Sequence, residues 1–297
     1  MAIPVIDAHH HIWRRRDLAW LNGPMEPRIF GDYAAIRRDY EIGEFLADAS
    51  PHGVVGSVHV QANWPAGQAE AEADYVHRAA EAAGWPMGFV GHADLLAGDA
   101  RRALDRLAAF PLTRGIRMQL HWHAEPRYRY AARPDLMDDP AFRDNLGILG
   151  ELGWSFDLQI FQSQMADGAR LAADFPAITF VLQHCGMPHE ASAAGREQWR
   201  HGMELLAARP NVAVKLSGLG TFLNRNDPAH IARVTRETVE LFGPDRCLFG
   251  SNFPIEKLWA DYGALIGAFH TALEGWSEAD RAKMFHGTAA RVYRLDF

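Results

Sequence analysis

Short apolar runs recur along the chain, at residues 3–9, 54–60, 87–93, 115–120, 155–160, 178–184, 212–216 and 246–250. They are rich in Val, Ile, Leu and Phe and are bounded by Gly, Pro or Asn, the pattern of strands in a buried parallel sheet. Between them the spacing turns helical. Residues 66–83 are alanine-rich and stop at Gly84, suited to the position just past a helix. Residues 99–110 open on Asp99 as N-cap and end before Pro111, and 139–152 open on Asp139-Pro140, with proline at the first helical position. Residues 165–175 stop at Pro176, 196–209 stop at Pro210, and 227–242 run from Asp227-Pro228 to Gly243-Pro244. A helix over 259–273 follows the last run, and Ser277-Glu-Ala-Asp280 reads as a capping box for a terminal helix.

Strand then helix, eight times over, predicts a (β/α)8 TIM barrel, because right-handed crossovers place each helix outside a parallel sheet. Two long connections, 13–53 and 121–138, follow the ends of the first and fourth strands and so belong to the active-site face. No internal repeat beyond the βα unit, low-complexity linker or second domain is evident, so residues 1–297 read as a single domain.

The chain is long enough to bury a full core without staples. Its net charge of −7 argues against nucleic acid and against an anionic membrane surface as partners. The N-terminal residues lack the basic and apolar segments of a signal peptide, and no apolar stretch reaches the ~18 residues of a membrane span. Cys185 and Cys247 are the only cysteines, too few for a disulfide framework. The expectation is a cytoplasmic protein acting on a small molecule; whether copies assemble into a homo-oligomer is left open. Its 15 histidines raise the prospect of acid–base or metal chemistry.

Three motifs carry that chemistry. In Asp7-Ala-His9-His10-His11-Ile-Trp13, strand alternation turns His9 and His11 the same way at the mouth of the first strand and His10 the other way. Two such imidazoles can hold one metal ion or one carbonyl oxygen. His184 ends the sixth apolar run, in Gln183-His184-Cys185-Gly186, and Gly250-Ser251-Asn252-Phe253-Pro254 ends the eighth, next to the first strand in a closed barrel.

Together with Lys215-Leu-Ser-Gly218 on the seventh strand, these motifs resemble the amidohydrolase-related family, and within it the barrel hydrolases that include sugar-lactone and 2-pyrone-4,6-dicarboxylate lactonases. The likeness runs over essentially the whole chain, to Tyr293-Arg-Leu. It implies that His9, His11 and His184 line the reacting carbonyl or bind a divalent metal such as zinc. The family pattern has Asp within GSD-x-P, where this chain has Asn252. An amide can neither take a proton from water nor balance a cation's charge, so the usual base is missing and the metal stays an open question. Asp157, Glu256, His121 and His123 are candidate replacement bases.

Substrate contacts are read more coarsely. Arg117, Gln119 and His121 fall on one side of strand 4, and an inward Arg is costly unless paired, which suggests a bound carboxylate or an internal acid. Gln61, His92 and Trp13 are further candidates, with Trp64, Trp122 and Tyr128 as aromatic walls. The arginines Arg127, Arg129 and Arg133 read mainly as a solvated cluster. Hydrolysis of a lactone, with Asn252 positioning water or substrate, is the expected activity. The alternatives are a decarboxylase or other carbon–carbon lyase on the same barrel, and a non-catalytic ligand-binding barrel.

Overall fold

The computed structural model describes residues 3–296; of the span 1–297 read as one domain, residues 1, 2 and 297 lie outside the described residues. Eight strands pair in parallel and in chain order: β1 (Val5–His10), β2 (Val54–Val60), β3 (Gly88–Gly91), β4 (Thr113–Ile116), β5 (Ser155–Leu158), β6 (Phe180–Leu182), β7 (Val212–Leu216) and β8 (Cys247–Phe249). The helices are α1 (Ala19–Asn22), α2 (Ile42–Ala49), α3 (Ala69–Ala83), α4 (Ala100–Ala108), α5 (Pro140–Leu152), α6 (Met165–Asp174), α7 (Ala193–Ala207), α8 (Pro228–Phe242), α9 (Tyr262–Ala272), α10 (Glu278–Ala282) and α11 (Thr288–Tyr293). With α2 to α9 alternating with the strands, this is the predicted (β/α)8 barrel.

The local signals explain most boundaries. Asp139 accepts from Ala141 N–H and Phe142 N–H, Asp227 from His230 N–H, and Ser277 from Asp280 N–H. Asp99, expected to cap α4, makes no such bond. Helices α7 and α9 start instead under Ser192 and Asp261, whose side chains accept from Gly195 N–H and Ala264 N–H. The first crossover helix, α2, lies inside the segment read as a loop. Strand β4 begins and ends earlier than its apolar run, so Arg117, Gln119 and His121 follow the ladder rather than belonging to it.

Ile6 and Ala8 join Val58, Val60, Val181 and Leu248 inside the barrel, with Val292 and Tyr293 of α11 in the same cluster. His9 nonetheless also points inward, toward Lys215 of β7. The register of β1 against β2 slips between Asp7 and His10, and this irregularity moves the inward face from the even to the odd positions. His10 is thereby turned out onto Phe45 of α2, stacked at a centroid distance of 3.8 Å.

Past their ladders, β1 and β8 are joined by His11 N–H to Phe253 O and Asn252 N–H to His9 O, both 2.7 Å. Asp7 reinforces the seam: its buried carboxylate accepts from Ser251 N–H (2.8 Å), His9 N–H (3.1 Å) and Tyr262 Oη–H (2.9 Å). Among the described residues no helix is long and apolar enough to cross a membrane. Cys185 and Cys247 are buried free thiols. Asp7→Ala strands three buried donors and is expected to cost about 3 kcal/mol or more, read as a Tm fall of roughly 10 °C; a fall below about 2 °C would show that the seam does not depend on it.

Candidate active site

His9, His11 and His184 converge at the C-terminal mouth of the barrel. The His9 ring lies 5.1 Å from His11 and 4.7 Å from His184, centroid to centroid. Each ring is held from behind at Nδ1. Lys215 Nζ–H donates to His9 Nδ1 (3.4 Å), His11 Nδ1–H donates to Val60 O (2.6 Å), and His184 Nδ1 bonds Ser217 Oγ (2.9 Å). The partner of one ring nitrogen fixes the state of the other. A carbonyl only accepts, so His11 carries its hydrogen on Nδ1 and keeps a lone pair on Nε2. An ammonium only donates, so His9 carries its hydrogen on Nε2, a buried atom with no hydrogen-bond partner among the described residues. The serine hydroxyl can serve either way, which leaves His184 adaptable. Gly218 supplies the close approach: it sits at φ +62°, and a Cβ there would lie 2.4 Å from His184 Nδ1.

An open cleft lies over the cluster, walled by His11, His184, Trp13, Arg117, Gln119 and Asn252 among others. His9 lies against His11 and His184 but is fully buried and does not line the cleft. Asn252 holds a left-handed backbone, φ +57°. Trp13 is fixed by its Nε1–H donating to Arg38 O (2.9 Å). Gln119 donates to Gln159 Oε1 (3.3 Å), and Gln159 also faces the cleft. The other candidates do not line it. Gln61 turns its side chain onto Asn63 N–H and lends its backbone carbonyl to Arg117 (2.6 Å). His121 packs between Tyr130 and Phe161, because the chain has left strand geometry before reaching it. His92 bonds Arg117 O through Nδ1. Trp64 packs on Tyr75, Trp122 under Arg129, and Tyr128 and His123 in an aromatic cluster with Phe161 and His189. Arg127 and Arg133 are paired at the surface with Glu125 and with Asp135 and Asp139.

Two candidate bases are committed elsewhere. Asp157 is buried inside the barrel, where Lys215 Nζ–H occupies it at 2.7 Å and Tyr293 Oη–H at 3.1 Å. Glu256 is buried behind Asn252 rather than in the cleft. Lys215 belongs to the Lys215-Leu-Ser-Gly218 motif, but its place behind His9 is set by a partner 206 residues away and is not legible in the sequence. Trp20, Arg28 and Phe30, from the long connection after β1, also wall the cleft. Nothing in their spacing marked them.

Burial sets the electrostatics. It pushes His9, His11 and His184 well below the ordinary histidine range, with Lys215 adding to the effect on His9 and Arg117 to that on His11 and His184, so the rings are neutral. Lys215 is pulled down to about 8 by burial, opposed by Asp157. Arg117 is buried, and among the described residues no carboxylate bonds it and its Nε has no hydrogen-bond partner. Among the described residues no Asp or Glu lines the cleft.

A sequence profile described as Amidohydrolase matches residues 6–295. The chain belongs to the amidohydrolase family. As a member it is a hydrolase. The uncharacterized protein y4mH of Sinorhizobium fredii is 35% identical over 99% of both chains. An L-fucono-1,5-lactonase of Burkholderia multivorans is 30% identical over 98% of this chain and 96% of its own. A crystal structure of an amidohydrolase from Burkholderia multivorans with zinc bound superimposes with a TM-score of 0.83, at 28% identity over 99% of this chain and 100% of that one.

That relative's zinc raises the question of fit in this amidohydrolase. A divalent ion needs an unprotonated nitrogen from each histidine. His9 offers Nε2–H instead, Asn252 contributes no charge, and the Lys215 ammonium stands 3.4 Å from the ring. Among the described residues no three His, Cys, Asp or Glu side chains are grouped so as to hold an ion. As arranged, the residues do not fit a metal.

The buried histidines make a pH prediction. His59 and His121 are also lowered, to about 3, and His10 well below its ordinary value, all chiefly by burial. Each lowered ring is protonated on unfolding below about pH 6.5, which makes stability fall as pH falls. Asp7, raised to about 6, and Glu72 and Glu256, raised to about 7, act the opposite way, since the folded state holds their protons more tightly. Six rings outweigh three carboxyls. Denaturant unfolding should therefore show stability rising between pH 5 and pH 6.5, with a slope of at most about 4 kcal/mol per pH unit; stability that falls over this interval would contradict the neutral cluster.

Proposed function

We propose that the protein hydrolyses a small lactone, with no metal in the step. The observation that carries this reading is the opposed pair of Nδ1 partners on two adjacent rings, the Lys215 ammonium on His9 and Val60 O on His11, which assigns a donor to His9 Nε2 and an acceptor to the His11 Nε2 of the ring that lines the cleft. The substrate carbonyl oxygen accepts from His9 Nε2–H, and His184 is available as a second donor. Water gives a proton to His11 Nε2 while its oxygen bonds the carbonyl carbon. The oxyanion is stabilised by donors already in place, often the largest catalytic contribution. As the intermediate collapses, the ring C–O bond breaks and His11 returns the proton to the departing alkoxide, giving the open hydroxy acid. Burial keeps His11 unprotonated across the neutral range, so it meets the water as a neutral ring.

Arg117 stands over the same cleft with an incomplete set of partners and would orient an acidic or hydroxylated substrate. The lactonase relative supports the reaction class. The substrate and its stereochemistry lie beyond that support.

A panel of sugar and carboxylated lactones, assayed with and without chelator, tests the reading. Turnover is expected to be insensitive to chelator. His11→Ala and His9→Ala should each lower kcat by about 10²–10³-fold, while Arg117→Ala should act mainly on KM. Activity abolished by chelator and restored by zinc would overturn the metal-free step. No hydrolysis anywhere in the panel, with carbon dioxide released from an aromatic acid, would overturn the lactone reading.

A further inference from the structure

The cleft over the histidines has room for little more than the reacting group. It measures about 90 Å³, less than the roughly 150 Å³ of a cavity that holds one benzene ring. Ligand pockets usually run to about 300–1,000 Å³. The remaining space is adjacent. On the same face of the barrel, between α3, α4 and the long connection after β4, a second hollow measures about 510 Å³. Gln119 lines both. Two further contacts tie the walls together. Tyr130 of the hollow donates through Oη–H to Asn63 Oδ1 of the cleft (3.3 Å), and His92 of the hollow donates through Nδ1–H to Arg117 O (3.2 Å).

The two compartments differ in chemistry. The cleft carries Arg28 and Arg117 and, among the described residues, no acid. The hollow is lined by one face of α4, where Ala100, Ala103 and Leu107 recur at helical spacing, together with Met118 and Leu136. The ring of Tyr130, 50% exposed, stands in the same wall. The one guanidinium among the described lining residues, that of Arg106, is paired with Glu70, while Asp94 and Asp99 are exposed. A carboxylate or phosphate placed there would meet an acidic excess and no free cation. A hydrocarbon group would instead cover alanine methyls and an aromatic ring, which is favourable in proportion to the area removed from water.

We propose that the hollow is a second subsite of the same active site, one that takes an uncharged alkyl or aryl substituent of the substrate while the reacting carbonyl occupies the cleft. The substrate class is then a lactone with an apolar group on its ring, polar at the cleft end and hydrocarbon at the hollow end. The identity of the reacting group rests on the lactone reading; the subsite does not.

A series of δ-lactones bearing hydrogen, methyl, butyl or hexyl on the ring tests this. kcat/KM should rise by about two- to four-fold for each methylene the hollow covers. The ratio of hexyl to unsubstituted lactone should collapse in Ala103→Trp, which fills the hollow from α4. Ala132→Trp, at an exposed position of the same lining, repeats the test where the first variant does not fold. A ratio near one in the unsubstituted protein, or a ratio that survives both substitutions, would overturn the proposal. If no lactone in the series turns over, the lactone reading fails and binding decides the subsite. Hexanol titrated into protein carrying carbon-13 in its methionine methyls should shift the Met118 signal saturably, with that signal assigned by its loss in Met118→Leu. Hexanoate should bind about ten-fold more weakly or worse. No shift of Met118 with the alcohol, or equal binding of the carboxylate, would also overturn it.

Discussion

The arrangement depends on one buried cation. Lys215 sits inside the barrel behind His9 with no exposure to solvent, bonded to Asp157, which is bonded in turn to Tyr293 of α11. Burying such a pair is expensive unless its remaining hydrogens and lone pairs are used. Here they are: the spare N–H of Lys215 meets His9 Nδ1 and fixes that ring as a donor toward the substrate. A neutral barrel floor would leave His9 free to take either tautomer.

The rest of the cleft follows from the same economy of partners. The end of β2 acts as a backbone anchor, where Val60 O takes His11, Gln61 O takes Arg117, and Ala62 N–H donates to buried Glu72 at 2.6 Å. Each side chain of the cluster is thus set by an atom of a strand or a neighbouring buried group. The cleft collects donors and cations and keeps its carboxylates behind the walls. That imbalance suits a reaction that develops negative charge on oxygen.

Much of this was written plainly in the chain. Apolar runs and helix stops gave the barrel because strand and helix periods differ and Gly, Pro and Asp mark the changes. The His9, His11 and His184 convergence followed from strand ends and alternation. What escaped the sequence depended on phase and distance. The register slip in β1 is a relation between two strands, so Asp7 shares the parity of His9 yet faces outward to Tyr262. Strand β4 ends early, so alternation carried to His121 pointed it into a cleft it does not reach. Lys215, Asp157 and Glu256 lie on separate elements, and their partners come from residues far away in the chain. The walls from Trp20, Arg28 and Phe30 belong to a segment with no regular period.

The central claim is that two neighbouring histidines hold opposite tautomers. Nitrogen-15 spectra of the imidazole rings at neutral pH measure this directly. The account predicts that His9 carries its hydrogen on Nε2 and His11 on Nδ1, with neither pattern altered by added zinc. A His9 ring protonated at Nδ1, or both Nε2 signals shifting together on zinc addition, would contradict it.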